Sequence, residues 1–409
     1  MSDGQPSRRD FMIQAAGALT AYAVVPDLAG ATSPVPTPPL KVGLIGAGRQ
    51  GRAIVAELQK MAGVELCAVC DTVAGRLDAM LGRVKGAEGF ADHRALLGQR
   101  PDVAALVVAT PTHLHRAIVD DALGAGRHVY CESPLASTVD DCRAIAAAAS
   151  RATTVCQAGF QGRSNPTYKR AQTLVRSELR DLVSIEARSH RKTSWRFPSS
   201  DPSLERLVNW RLDPDVSTGL AGEVAAQQLD VAHWFSGTYP VRIEGRGEIR
   251  HHKDGRTVPD TIDLQLRWAD GLALQYHATL ANSYGAQTET FYGVNGTIRL
   301  AWTHGWLFKE PDAPTQGWEV YATRQQHFNS EGIVLIANAT QLAAQGDLKA
   351  GIGLPHPSLY YALEDFVRSA TTGAPVACSA EEGARASIIG ILANQAVIGR
   401  APVDVPVFG

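Results

Sequence analysis

Residues 41–58 constrain this chain more than any other stretch. The apolar run Lys41-Val42-Gly43-Leu44-Ile45 leads into Gly46-Ala47-Gly48-Arg49-Gln50-Gly51, and then into Arg52-Ala53-Ile54-Val55-Ala56-Glu57-Leu58, where apolar residues recur at helical spacing. Strand, glycine turn and helix in that order are the context in which G-x-G-x-x-G holds a dinucleotide. Gly46 permits the tight turn, Gly48 lets backbone approach a pyrophosphate, and Gly51 lets the helix pack closely on the strand. Ala47, Arg49 and Gln50 complete the predicted cradle. A second strand, Glu65 to Cys70, ends in Asp71, twenty residues after Gly51, where a carboxylate meets the adenosine ribose hydroxyls. Asp71 favours NAD, because it would repel a 2′-phosphate. Arg49 and Arg76 keep NADP open.

The alternation of strand and helix continues to about residue 158, which predicts a doubly wound parallel sheet. Ligands of such sheets lie at the carboxyl ends of the strands. That places Thr110-Pro111-Thr112-His113-Leu114-His115, after the strand Val103 to Ala109, and Glu132-Ser133-Pro134, after His128 to Cys131, among the candidates. Thr110, Pro111, His115, Glu132, Ser133 and Pro134 are assigned to the cofactor side. Past residue 158 the pattern changes to alternating strands at Leu182 to Ser189, Val241 to Arg250, Thr261 to Trp268 and Leu272 to Leu280. A hairpin follows around Asn295-Gly296. The expected domains are 41–158 and 159–409, an α/β chain with a Rossmann half and a half built on a large, mostly antiparallel sheet.

The chain begins with Ser7-Arg8-Arg9-Asp10-Phe11-Met12, a mildly apolar run from Ile13 to Val25, and Ala29-Gly30-Ala31. That order predicts a twin-arginine export leader over 1–31, cut at an A-x-A site, and a periplasmic or other extracytoplasmic location. Its apolar run is too short for a stable membrane span. Residues 32–40, rich in proline, form a linker. The twin-arginine translocase carries folded proteins, so a dinucleotide could be loaded before export and would then have to be retained. The 39 basic and 41 acidic residues leave a formal charge of −2, which offers no field for nucleic acid and points to a small-molecule partner. The six cysteines suit buried thiols. No His or Cys spacing suggests a metal site.

Together the glycine motif, Thr110-Pro111 with His115, the Glu132-x-Pro134 turn, and Gly219-x-x-Gly222-Glu223 followed by Gln227-x-x-Asp230 resemble the Gfo/Idh/MocA family of sugar and cyclitol oxidoreductases. The resemblance implies an NAD(P)-dependent oxidoreductase acting on a carbohydrate or polyol, and a homo-oligomer formed through the large sheet. It also exposes two departures. Where the family carries Glu-Lys-Pro, this chain has Glu132-Ser133-Pro134; where the family has a histidine acid/base, it has Gln227. Neither Ser133 nor Gln227 titrates near neutrality. Glu223, Gln227 and Asp230 share a helix face, and either carboxylate could act as base. His190 and Lys192 could supply one from the segment after the strand at 182–189. Trp195, Trp210 and Arg211 are expected on the substrate wall, with Gln161 and Arg163. Two other readings stay open: a glycoside-cleaving enzyme that oxidises transiently and eliminates, and a sugar-binding protein that has lost catalysis.

Overall fold

A computed structural model describes residues 38–408 except positions 200, 328, 338, 340, 341, 343, 344 and 346. The leader at 1–31 and the linker up to residue 37 lie outside the described residues.

The first sheet has six parallel strands in the order β3-β2-β1-β4-β5-β6: β1 (Leu40–Ile45), β2 (Val64–Cys70), β3 (Glu88–Phe90), β4 (Ala105–Val108), β5 (His128–Glu132) and β6 (Cys156–Gly159). Helices α1 (Arg49–Leu58), α2 (Ala74–Leu81), α3 (His93–Gln99), α4 (His115–Gly124) and α5 (Val139–Arg151) make the crossovers. Covered on both faces, β4 is buried at every position, so it reads in the sequence as the unbroken apolar run Ala105-Leu106-Val107-Val108. The strand order reverses between β1 and β4, and the crevice at their carboxyl ends is where a ligand belongs.

The second sheet has ten strands: β7 (Leu182–His190), β8 (Arg242–Glu248), β9 (Thr261–Arg267), β10 (Ala273–Thr279), β11 (Gln287–Gly293), β12 (Gly296–Ala301), β13 (His304–Lys309), β14 (Arg324–His327), β15 (Ser330–Val334) and β16 (Val403–Asp404). Their order is β14-β15-β13-β12-β11-β7-β10-β9-β8-β16, antiparallel throughout except where β7 meets β10. Alternation sends Ile185 and Ala187 of β7, with Phe291 and Glu289 opposite them, toward the core. Helices α6 (Pro166–Glu178) and α7 (Ala226–Ser236) cover that face, with the Phe235 ring 4.7 Å from Phe291.

The last two helices cross back over the first domain. α8 (Ser358–Thr372) buries Leu359, Ala362, Leu363 and Phe366 in one cluster with Leu44, Ile54, Leu58 and Tyr130, and Gly373, at φ 71°, ends it. α9 (Ala380–Gly399) starts with a capping box between Ser379 and Glu382 and packs on α5, β6 and β8. One half of the Rossmann core is therefore closed by residues from the far end of the chain.

Candidate active site

The glycine turn has the shape the sequence predicts. Gly46 sits at φ 102°, and a Cβ on Gly51 would lie 2.0 Å from the carbonyl oxygen of Gly46, so only glycine lets α1 approach β1 this closely. Space in front of Gly48, the N-cap of α1, is open to 4 Å. Asp71 is buried at the end of β2; it accepts from the Ala47 N–H at 2.8 Å and the Val73 N–H at 2.8 Å, which ties the turn to the strand. Arg49, the first helical residue, has its guanidinium 5.1 Å from the Phe197 ring of the second domain. Burial and then the charges of Arg211, Arg191 and Arg52 push the Arg49 pKa down. This excess of positive charge, an open helix N-terminus and the buried, unpartnered hydroxyl of Thr110 fit the phosphates and polar edges of a dinucleotide.

Across the crevice, Glu132 ends β5. Its carboxyl group accepts from Gln50 Nε2 at 2.9 Å and from the Ser133 N–H at 3.3 Å. Burial pushes it up to about 7, more than the Gln50 and Ser133 hydrogen bonds and the charge of Arg211 pull it down. Ser133 Oγ accepts from Gln227 Nε2 at 2.6 Å. The same amide donates to Gly159 O at 2.9 Å, while Gln227 Oε1 accepts from the Gln161 N–H at 3.1 Å. Gln227 is thus fully engaged by protein groups and holds the Ser133 hydroxyl in place.

The segment that should place Glu223 and Gln227 on one regular helix is a π-helical turn, Ala221–Ala225, running into α7. Glu223 and Gln227 reach first-domain groups, whereas Asp230 does not. Glu223 reaches the crevice, where it accepts from Thr218 Oγ1 at 2.8 Å and Thr112 Oγ1 at 3.2 Å and lies 3.4 Å from Arg211 Nε. Burial raises its pKa, against the opposing pull of Arg211 and the two threonines. Asp230, deeper, is bound through both oxygens to the buried guanidinium of Arg163, at 2.8 and 2.9 Å.

Two family models match the chain: the oxidoreductase family NAD-binding Rossmann fold over residues 40–160, and the Gfo/Idh/MocA C-terminal domain over 168–299, together well over half its length. The chain belongs to the Gfo/Idh/MocA oxidoreductases. It is 24% identical to a levoglucosan dehydrogenase of Pseudarthrobacter phenanthrenivorans, across 90% of this chain and 98% of the relative. It is 27% identical to an inositol 2-dehydrogenase of Acidothermus cellulolyticus, over 64% and 73% of the two chains. Among solved structures, an oxidoreductase domain protein from Kribbella flavida superposes with a TM-score of 0.72 at 22% identity, covering 90% of this chain and 99% of that one. A levoglucosan dehydrogenase in complex with NADH and levoglucosan gives 0.70 at 21% identity, with the same coverage. As a Gfo/Idh/MocA member the protein is an NAD(P)-dependent oxidoreductase, and the dinucleotide belongs at the glycine turn.

Several residues that the sequence assigned to this Gfo/Idh/MocA site stand elsewhere or do something else. His190 is on the opposite face of the large sheet from α7, because Ile185 and Ala187 point inward; its ring nitrogens meet His277 Nδ1 at 2.7 Å and Tyr284 O at 2.9 Å. Lys192 is exposed beyond the end of β7. Asp230 and Arg163 neutralise each other, so neither is offered to a substrate. His115 is buried between Thr110 O and Pro134 O, both at 3.1 Å, and burial pulls it down to about 4; it braces the two crevice loops as a neutral ring. Gln161 contributes its backbone to Gln227. Trp195 and Trp210 are both buried, and Arg211 stacks over them, 4.3 Å from Trp210 and 5.9 Å from Trp195. Pro111 precedes the short turn Thr112–Leu114.

Two features beside these tryptophans have no signal in the sequence. Asn209 is buried and clamps the backbone of Phe197, accepting from its N–H at 2.7 Å and donating to its carbonyl at 2.9 Å. Trp195 holds a φ of 63°, rare for a bulky side chain, so the 195–197 segment is both strained and tied down. Such a clamp between residues twelve apart leaves no periodic signal. All six cysteines are buried and unpaired. Among the described residues no helix is long and apolar enough to cross a membrane.

Proposed function

We propose that the enzyme oxidises a secondary alcohol of a carbohydrate or polyol, keeps its NAD bound between turnovers, and passes the alcohol proton to Glu132. One observation carries this reading. The positions expected to hold lysine and histidine are filled by Ser133 and Gln227, which bond each other, and the neighbouring Glu132 is a buried carboxyl poised near neutrality with no cation in contact among the described residues. Glu223 is the weaker base, because two hydroxyls and Arg211 already stabilise its charged form.

The nicotinamide, when bound, accepts the hydride. Glu132 takes the O–H proton as the carbonyl forms. Ser133, its oxygen fixed by Gln227, has its own proton free to donate to the substrate oxygen. Arg211, held by Glu223 and stacked on Trp210, sets a positive field at the developing charge. The names of the inositol and levoglucosan dehydrogenase relatives, a polyol and an anhydrosugar, support the substrate class.

The leader adds the cellular context. Export in the folded state places the enzyme outside the cytoplasmic NAD pool, so a second substrate must reoxidise the cofactor in the same site. Protein purified without added nucleotide should release NAD(H) on denaturation, and its 340 nm band should rise with one member of a sugar and polyol panel. Glu132→Gln should keep the nucleotide but lose the rise; equal reduction rates in variant and wild type would remove Glu132 from the mechanism. Replacing Arg8 and Arg9 by lysine should retain the protein in the cytoplasm, and unchanged fractionation would refute the export reading.

A further inference from the structure

Phe197 also lines a groove of about 660 Å³ between the 194–199 segment and the turn at 251–254. That is within the size range of ligand clefts, about 300–1,000 Å³. Its walls are built rather than incidental. The buried carboxylate of Asp260 accepts from three successive backbone N–H groups, of Arg250, His251 and His252, at 2.7–2.9 Å, and so fixes the turn. Arg196 bridges the groove, bonding Asp254 at 3.0 Å and Glu205 at 3.0 Å. Behind it, buried Arg256 donates to Ser194 O at 2.7 Å and to both oxygens of Asp254, while its Nη1 has no hydrogen-bond partner among the described residues.

These ties consume Arg196 and Asp254 and leave the exposed His251 ring and the Lys253 ammonium at the rim. Phe197 and Pro198 supply an apolar floor. Phe197 also carries Arg49 on its ring, so one residue borders both the dinucleotide crevice and the groove. An apolar floor edged by donors and an acceptor is the surface on which a sugar ring stacks its C–H face and bonds its hydroxyls.

We propose that this groove is a second sugar subsite, and that the substrate is a disaccharide or other glycoside whose far ring lies on Phe197 while the near ring is oxidised. The proposal rests on the carbohydrate reading above. The test uses the nucleotide-loaded protein, with maltose, cellobiose, lactose and sucrose compared against glucose, galactose and fructose by saturation-transfer NMR and titration. The expected result is transfer to both rings of at least one disaccharide and an affinity about tenfold above its component monosaccharides. The double variant His251→Ala/Lys253→Ala should lose about tenfold for that disaccharide, the loss of one or two hydrogen bonds, and nothing for the monosaccharide. A disaccharide that binds no tighter than its parts, or affinity unmoved by the double variant, overturns the subsite while leaving the carbohydrate reading standing. Binding of none of these sugars, large or small, sinks both.

Discussion

Replacing Asp230 by asparagine separates a structural carboxylate from a catalytic one. In the folded protein Asp230 and Arg163 are joined by two hydrogen bonds of 2.8 and 2.9 Å, with side chains 1% and 5% exposed. Asparagine keeps the shape but removes the charge and one acceptor, so Arg163 is left with Glu382 alone, itself partly exposed. Losing one partner of a buried pair costs about 3–5 kcal/mol. With Glu382 retained, the lower end applies, about 3 kcal/mol. For a chain of this size, with an unfolding entropy of about 0.8 kcal/mol/K, that corresponds to a fall in Tm of roughly 4 °C. Thermal unfolding followed by circular dichroism should show it, and at 20 °C the surviving folded protein should still bind NADH and turn over. A variant with wild-type Tm and no turnover would refute the reasoning and return Asp230 to the chemistry.

Other expectations follow from the same geometry. Burial pushes Glu289, bonded to Tyr168 and Gln228, up to about 7 from an ordinary 4.5. Between those values the folded state keeps a proton that the unfolded state has lost. The contribution of Glu289 should therefore be full below pH 4.5, fall by on the order of 3 kcal/mol by pH 7, and level off above. Buried His115, pulled down to about 4, slopes the other way over the same range, so the test is a difference: wild type should lose on the order of 3 kcal/mol relative to Glu289→Gln between pH 4.5 and 7 in urea unfolding, and a constant difference would count against a neutral Glu289. Gly51→Ala drives a Cβ into the Gly46 carbonyl, and purified variant should carry no nucleotide, with NADH affinity down more than tenfold; near-normal affinity would disprove the close approach. Phe197→Ala removes the stacking partner of Arg49, worth about 0.5–2 kcal/mol. Release of retained NAD(H), timed by fluorescence, should speed up between about twofold and thirtyfold, and an unaltered rate would exclude Phe197 from cofactor retention.

The Rossmann half was legible because its signals are local. The glycine turn, the apolar strands and Asp71 lie within about thirty residues and each has one physical reading. Strands β7 to β12 were legible through alternation and through the turns at Ala269-Asp270-Gly271 and Asn295-Gly296. β13 to β15 were not, since His304-Gly305-Trp306-Leu307-Phe308-Lys309 alternates weakly. At the site, the motifs singled out Glu132, Ser133, Glu223 and Gln227 but not the contacts that each makes. Burial alone makes Glu132 titrate near neutrality, and depth along the π-helical turn and α7 separates Glu223 in the crevice from Asp230 against Arg163. The placement of His190 depended on strand parity: a one-residue offset decides which face of a sheet a side chain meets. Contacts such as Asn209 with Phe197, or Arg163 with Glu382, join segments that no periodicity links.

α8 carries a consequence for the order in which the protein can be made. β1 and α1 precede most of the chain, yet the apolar cluster of Leu44, Ile54 and Tyr130 is completed by Leu363 and Phe366, more than two hundred residues after Tyr130. Until the C-terminus is synthesised, one side of the nucleotide-binding half lacks its cover. Synthesis and closure are therefore separated in time, and a chain cut anywhere before residue 358 leaves an open, adhesive first domain.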